Sequence, residues 1–192
     1  MDIFQNQYSI LNAAFRSVPL TLPIIVFIVY YLTQNIQIFN LFIGTLVINF
    51  ICVNLFKKLC LILLDIFNIT TDGLPILGRF SRPDNCINCG VHYVSETNYS
   101  YTSGMPSGHS MLMSFVCVYL YYYINNTYII KNHNKKNTNN KSLLLFLILF
   151  LITIYMMYTR VLMGCHTIQQ TIVGSIIGAI LGHYYYKYFS KC

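Results

Sequence analysis

Residues 36–56, IQIFNLFIGTLVINFICVNLF, contain no Asp, Glu, Lys, Arg or His. At a rise of about 1.5 Å per residue, a helix of that length crosses a hydrocarbon core about 30 Å thick. Four further stretches are mostly apolar: Val18 to Leu32, Ser110 to Ile130, Leu143 to Tyr158 and Gln170 to Phe189, the last holding His183 and Lys187 near its end. This layout predicts an all-α membrane bundle of about five spanning helices, the first and fourth needing flanking residues to reach both interfaces. A sixth run, Leu59 to Phe67, follows Lys57 and Lys58, holds Asp65 and is too short to span alone. It reads as an interfacial or re-entrant continuation.

Composition points the same way. Of the 192 residues, 56% are hydrophobic and 9% charged, against about 25% charged in ordinary soluble domains. Disordered, collagen-like and soluble globular classes are thereby excluded, and the chain reads as a single membrane domain over 1–192. The formal charge is +7. The basic residues are spread over short loops with no stripe beside an aromatic platform, so the partner is not nucleic acid. Attraction to the bilayer's anionic lipid, or to a phosphorylated substrate, fits the charge. Met1 to Ser17 holds one Arg and no small-residue cleavage site, so the first hydrophobic segment is expected to stay in the protein.

Residues 131–141, KNHNKKNTNNK, read as a basic, Asn-rich solvated loop. Its Lys residues, with Lys187 and Lys191, mark one face as cytoplasmic. One crossing away on either side, the long polar region 68–109 and the short connection 160–166 then share the opposite, extracytoplasmic face. Glycosylation-type triplets at Asn68, Asn98, Asn125 and Asn140 fall on both faces and do not decide orientation.

Three short blocks meet on that extracytoplasmic face: Gly78-Arg79-Phe80-Ser81-Arg82-Pro83, Gly104-Met105-Pro106-Ser107-Gly108-His109-Ser110, and Thr159-Arg160-Val161-Leu162-Met163-Gly164-Cys165-His166-Thr167-Ile168-Gln169-Gln170. Ionisable residues at a membrane boundary mark function, and here the types are complementary. Arg offers a planar fork of donors to phosphate oxygens. His serves as nucleophile or proton donor near neutral pH. Ser-Gly at a helix start offers backbone N–H groups to an anion.

Arg-Pro, then Pro-Ser-Gly-His, then Arg-x5-His resembles the three-block signature of the type 2 phosphatidic acid phosphatase superfamily. Its members are membrane lipid phosphatases and diphosphatases related to bacterial acid phosphatases and vanadium haloperoxidases. The resemblance implies that His166 takes the phosphoryl group as a phosphohistidine and that His109 protonates the leaving oxygen. It assigns Arg82, Arg160, Ser107 and Gly108 to the phosphoryl oxygens. No cofactor is called for, and no metal if Arg supplies the charge. Where the family's first block has a Lys, seven residues before the Arg of Arg-Pro, this chain has Pro75. Arg79 is the favoured substitute, with Lys57 and Lys58 folding back as the alternative.

Where the family's third block has an Asp four residues after the His, this chain has Gln170. That spacing puts Gln170 on the His166 face of a helix, where its amide oxygen can fix the ring tautomer. His-Thr-x-x-Gln with Gly-Met-Pro-Ser resembles the dolichyl-diphosphatase branch. That implies cleavage of a polyprenyl diphosphate on the lumenal face of the endoplasmic reticulum. The branch's usual Ser-Ser-His is Ser-Gly-His here. Alternatives are phosphatidate, a sphingoid phosphate or undecaprenyl diphosphate as substrate. Another is a membrane protein that binds lipid phosphate without turnover, motivated by Pro75 and Gln170. A channel or transporter would place ionisable residues within the spans, whereas almost all sit at the ends.

The remaining features have plainer readings. Cys86 and Cys89 form a single CxxC, read as a local disulfide or two free thiols rather than a zinc site. The other five Cys, Cys165 included, read as packing residues. His92, His133 and His183 read as structural, and Asp72, Asp84 and Glu96 as solvated. Gly174, Gly178 and Gly182 are expected to seat the last helix against the bundle, with a homodimer contact as the second reading. Tyr121 to Tyr123 and Tyr184 to Tyr186 are expected to form an aromatic belt near the basic face.

Overall fold

The computed structural model describes residues 2–68, 79–83, 89, 103–131 and 135–189. Among these the chain is an all-α bundle: α1 (Asp2–Thr33), α2 (Ile36–Val47), a π-helical turn (Ile48–Cys52), α3 (Val53–Ile66), α4 (Gly108–Lys131), α5 (Lys135–Leu162) and α6 (Ile168–Phe189). Three stretches, Ala14–Thr33, Ile36–Ile66 and Leu143–Leu162, are long and apolar enough to cross a bilayer. The expected third and fifth spans fall on α4 and α6, which are not among these three stretches and pack on each other at the centre of the bundle.

Their contact depends on glycine. A Cβ on Gly174 would lie 2.5 Å from the Ser107 carbonyl oxygen, one on Gly182 2.7 Å from that of Phe115, and one on Gly178 would overlap the Met111 carbonyl oxygen. The α6 stripe therefore lies along the α4 backbone of its own chain. Met111, Leu112, Phe115 and Tyr119 of α4 form the core with Leu41 and Ile48.

Side-chain bonds tie the basic end. Tyr119 Oη–H donates to the Gln37 carbonyl at 2.7 Å, and Asn40 Nδ2 donates to that of Phe189 at 3.1 Å. The N-terminal half of α1 lies at the other end, because the Arg16 carbonyl stands 3.3 Å from His109 Nε2.

Several expectations are corrected here. The run 59–67 does continue the second span, but as one helix to Ile66 and not as a re-entrant segment. The basic stretch 131–141 is mostly helix, α5 beginning at Lys135. Asn, Lys and Thr are weak rather than forbidden helix formers, and the stretch has no Gly or Pro to stop it. The tyrosine belt is only partial. Tyr186 is 5% exposed in the core, where Asn126 Nδ2 donates to its hydroxyl at 2.8 Å, whereas Tyr184 faces outward. His183 Nδ1 lies 2.8 Å from the Tyr122 hydroxyl, a structural contact.

α1 runs through Pro19 and Pro23. Pro23 has no N–H, so the Pro19 carbonyl loses its helical donor. Asn49 of the π turn supplies one, Nδ2 to Pro19 O at 2.6 Å, as membrane helices require of freed backbone groups. Beside this contact, α1 and α2 enclose an entirely apolar groove of about 320 Å³ that reaches from Pro19 and Phe50 to Phe27 and Phe42.

Candidate active site

The third block is a helix–turn–helix hinge. α5 ends at Leu162, and the turn is closed by Gly164, whose φ of 65° suits only glycine without strain. The N–H groups of Cys165 and His166 then return to the Arg160 carbonyl at 3.1 and 3.3 Å. Thr167 caps α6. Its Oγ1 accepts from the Gln170 N–H at 3.3 Å while Gln170 Oε1 accepts from the Thr167 N–H at 3.1 Å, a reciprocal capping box.

Gln170 does more than cap. It is fully buried, and its Nε2 donates to the carbonyls of Arg79 at 2.7 Å and Ser81 at 2.8 Å. Its own carbonyl accepts from the Ser107 N–H at 3.1 Å. One side chain thereby binds block one to block three, and its backbone binds block two. A bridge between Ser81 and Ser103 adds a second tie, as does the Gly104 N–H donating to the Phe80 carbonyl at 2.9 Å.

The His166 ring follows from this network. Nδ1 lies 2.9 Å from the Gly104 carbonyl oxygen and 3.1 Å from Gln170 Oε1. Both partners can only accept, so Nδ1 carries the hydrogen and Nε2 keeps its lone pair. Burial, then the charges of Arg82, Arg160, His109 and Lys57, hold the His166 pKa well below 6.5. The ring is neutral and nucleophilic at neutral pH.

The groups whose charge reaches it are Arg82, Arg160, His109 and Lys57. His109, 8% exposed, sits in the first turn of α4. Ser107 accepts on its carbonyl the first helical bond, from the Met111 N–H at 3.0 Å. The N–H groups of Gly108, His109 and Ser110 therefore have no acceptor within the helix, an arrangement suited to an anion. Arg160 is wholly buried, and its Nη2 donates to the Cys89 carbonyl at 2.7 Å. Arg82 is half-buried beside it in charge, acting on both His109 and His166. Arg79 directs its Nε to the Ser81 hydroxyl.

Three features depart from the favoured reading of the sequence. Cys89 is disulfide-bonded to Cys165, 76 residues away, rather than to Cys86, which lies outside the described residues. Cys165 is therefore neither a packing thiol nor a nucleophile, and the bond fastens Cys89, whose carbonyl accepts from Arg160, to the residue before His166. Sequence spacing alone does not give disulfide connectivity. The second is Lys57, named from the sequence only as the alternative to Arg79: it is buried at 7% exposure, with its charge acting on both histidines. The third is the Arg16 carbonyl against His109, for which the sequence carries no signal. His92, His133, Asp72, Asp84, Glu96 and Pro75 lie outside the described residues. Among the described residues no cluster of His, Cys, Asp and Glu could hold a metal ion.

A family model of the PAP2 superfamily matches residues 56–192, which take in all three blocks. No curated protein and no solved structure matches the chain.

Proposed function

The chain belongs to the PAP2 superfamily and is a membrane phosphatase of the lipid-phosphate type, and from that premise we propose that it cleaves a polyprenyl diphosphate to the monophosphate through a phosphohistidine on His166. The observation that carries this reading is the pair of acceptors on Nδ1, which leaves Nε2 free to attack. Nε2 bonds to the terminal phosphorus as the P–O bond to the lipid monophosphate breaks, and His109 protonates the departing oxygen. A water then gives a proton to His109 as its oxygen bonds to phosphorus and the P–N bond breaks, releasing inorganic phosphate and restoring His166. Arg82, Arg160 and the Ser107–Gly108 helix start hold the equatorial oxygens, where charge concentrates in the transition state. Arg79 supports them from block one.

The groove between α1 and α2 supports a long hydrocarbon tail. Pro19 is three residues from Arg16 and Phe27 eleven, so the groove runs from about 5 to about 16 Å below the Arg16 contact with His109. That is the direction in which a lipid hangs from its headgroup. The Cys89–Cys165 bond supports a site in an oxidising compartment such as the lumen of the endoplasmic reticulum.

The test is phosphate release by the detergent-solubilised protein from a polyprenyl diphosphate and from phosphatidate, with EDTA present, beside His166→Ala. The expected result is EDTA-resistant release that is faster from the diphosphate and absent in the variant. Faster release from phosphatidate moves the substrate to that lipid. No release from either by folded protein returns the chain to lipid-phosphate binding without turnover.

A further inference from the structure

Proline strips α1 of hydrogen-bond donors at two positions one turn apart. Neither Pro19 nor Pro23 has an N–H, so the Phe15 and Pro19 carbonyls lose their helical partners, and each ring pushes the carbonyl four residues before it aside. Packing does little to hold this stretch, since among the described side chains of α1 only Pro23 and Val26 are buried. The rings of Phe15 and Tyr155 meet at 5.4 Å, but an apolar contact lets a helix slide and turn. A hydrogen bond is directional. That from Asn49 Nδ2 to the Pro19 carbonyl, at 2.6 Å, therefore fixes the height and rotation of α1 against the π turn.

This register places the Arg16 carbonyl, three residues and about 4.5 Å further along α1. It stands 3.3 Å from His109 Nε2. A carbonyl only accepts, so the hydrogen is on Nε2 and Nδ1 is left for the chemistry. The arrangement mirrors His166, whose Nδ1 is held while Nε2 attacks. Burial, then the charges of Arg160 on α5, Arg82 in block one and Lys57 on α3, hold the His109 pKa well below 6.5, with His166 also in range. Among the described residues the Arg16 carbonyl acts the other way and favours the proton.

We infer that Asn49 is a positioning residue for His109: by clamping the Pro19 carbonyl to the π turn it presents the Arg16 carbonyl to Nε2–H and so aims Nδ1 at the leaving oxygen. A bound phosphate anion offsets the surrounding cations and lets the ring take up a proton from solvent. The Nδ1 proton passes to the leaving oxygen as the P–O bond breaks, and the neutral ring keeps its Nε2 hydrogen on Arg16. The proton of the attacking water then returns to Nδ1. The inference rests on the phosphatase reading for this proton path, but not for the placement of the ring. Arg16, Pro19 and Asn49 all precede residue 56, where the family match begins.

The experiment compares Asn49→Leu, which keeps the branched shape and drops the donor, with the exposed Asn54→Leu in the purified full-length protein. The readings are kcat and KM across pH, the rise in Tm with inorganic phosphate, and the histidine ring nitrogens by NMR of isotope-labelled protein, with His109→Asn assigning the signal. Asn49→Leu is expected to lower kcat about 10- to 10²-fold and to leave KM and the phosphate-induced rise unchanged. Loss of the carbonyl lowers the His109 pKa further, and an acid works only below its pKa. The alkaline limb of the kcat profile should therefore move to lower pH while the acid limb stays. The parent's ring signal should show hydrogen on Nε2, the variant's a mixture of both tautomers, and Asn54→Leu should match the parent throughout. Pro23→Ala separates positioning from repair of the helix, because its N–H can serve the Pro19 carbonyl from within α1. In that background Asn49→Leu should lose less Tm yet still lower kcat by the same factor. Recovery of stability and kcat together would mean that Asn49 only satisfies a carbonyl, and the inference falls. Folded Asn49→Leu that keeps the parent's ring signal overturns it, whatever the rate, as does failure of Asn49→Leu to fold in both backgrounds. A parent that hydrolyses no lipid, yet loses the Nε2 signal in Asn49→Leu, upholds the positioning and defeats the phosphatase reading.

Discussion

Restoring a carboxylate beside His166 would look like an improvement, since a negative charge stabilises imidazolium, yet the structure predicts the reverse for Gln170→Glu. The substitution exchanges one NH2 for O and little else. That atom is the donor to the Arg79 and Ser81 carbonyls at 2.7 and 2.8 Å, inside a fully buried side chain. An ionised Glu would set oxygen against both and leave two acceptors without a donor, at about 1–3 kcal/mol each. A protonated Glu could serve one of them. Holding a group of ordinary pKa about 4.3 protonated at pH 7 costs about 3.7 kcal/mol, to which the second lost bond adds about 1 kcal/mol. The cheaper of the two routes sets the cost at about 2–5 kcal/mol, or a fall in apparent Tm of about 4–20 °C for a chain of this size.

Because Ser81 precedes Arg82, loosening this tie should also displace a phosphate ligand and cost activity about 10²-fold. The assay is thermal unfolding with phosphate release from pH 5 to 8. The Gln170→Glu deficit should shrink as pH falls, since protonation becomes easier. A variant as stable and as active as the parent at pH 7 would refute the reasoning and show that the carboxylate role is simply vacant here.

Three further outcomes are expected. The folded state holds the His166 pKa below 6.5, so the unfolded chain binds more protons as pH drops beneath that value. Stability contributed by neutral His166 is full above it and is lost as pH falls through the lowered value, while activity persists below pH 6.5; denaturant midpoints and kcat/KM against pH check both signs. Reduction of Cys89–Cys165, or Cys165→Ser, removes a link across 76 residues and should cost about 2–4 kcal/mol. Activity should fall with it because the Arg160 acceptor is released, and equal turnover with and without dithiothreitol would contradict this. Gly178→Ala would drive a methyl into the Met111 carbonyl and should cost about 1–3 kcal/mol, against little change for lipid-facing Ile180→Ala; matching melting curves for the two would contradict the α4–α6 seam.

The bundle was legible because hydrocarbon demands long apolar runs, and those runs stand out between Lys57, Lys131 and Arg160. The co-location of the three blocks was legible too, since crossing number alone puts Arg82, His109 and His166 on one face. The glycine stripe on α6 announced a close approach and found it on α4. The capping box was written in Thr167-x-x-Gln170, but its two further acceptors lie about ninety residues upstream, where spacing says nothing. Cys89 pairing with Cys165 is likewise a long-range choice that local pattern cannot make. Lys57 stood only as an alternative to Arg79 for a different reason: helical periodicity counted from residues 36–48 points it at lipid, and only the irregular turn corrects the count.

That turn also divides the second membrane helix by how it tolerates changes of length. It holds one residue more than an α-helix needs, so losing Ile51 or Cys52 would return the segment to ordinary helix while Val53 and all beyond it keep their facing. Losing one residue between Val53 and Lys57 has no such slack, and turns the rest of α3 by about 100°. The bundle would survive such a deletion, but its ammonium would face lipid. Comparing related sequences by position alone would miss this boundary, because the gap a good alignment opens within 48–52 is functionally silent while the same gap five residues later is not.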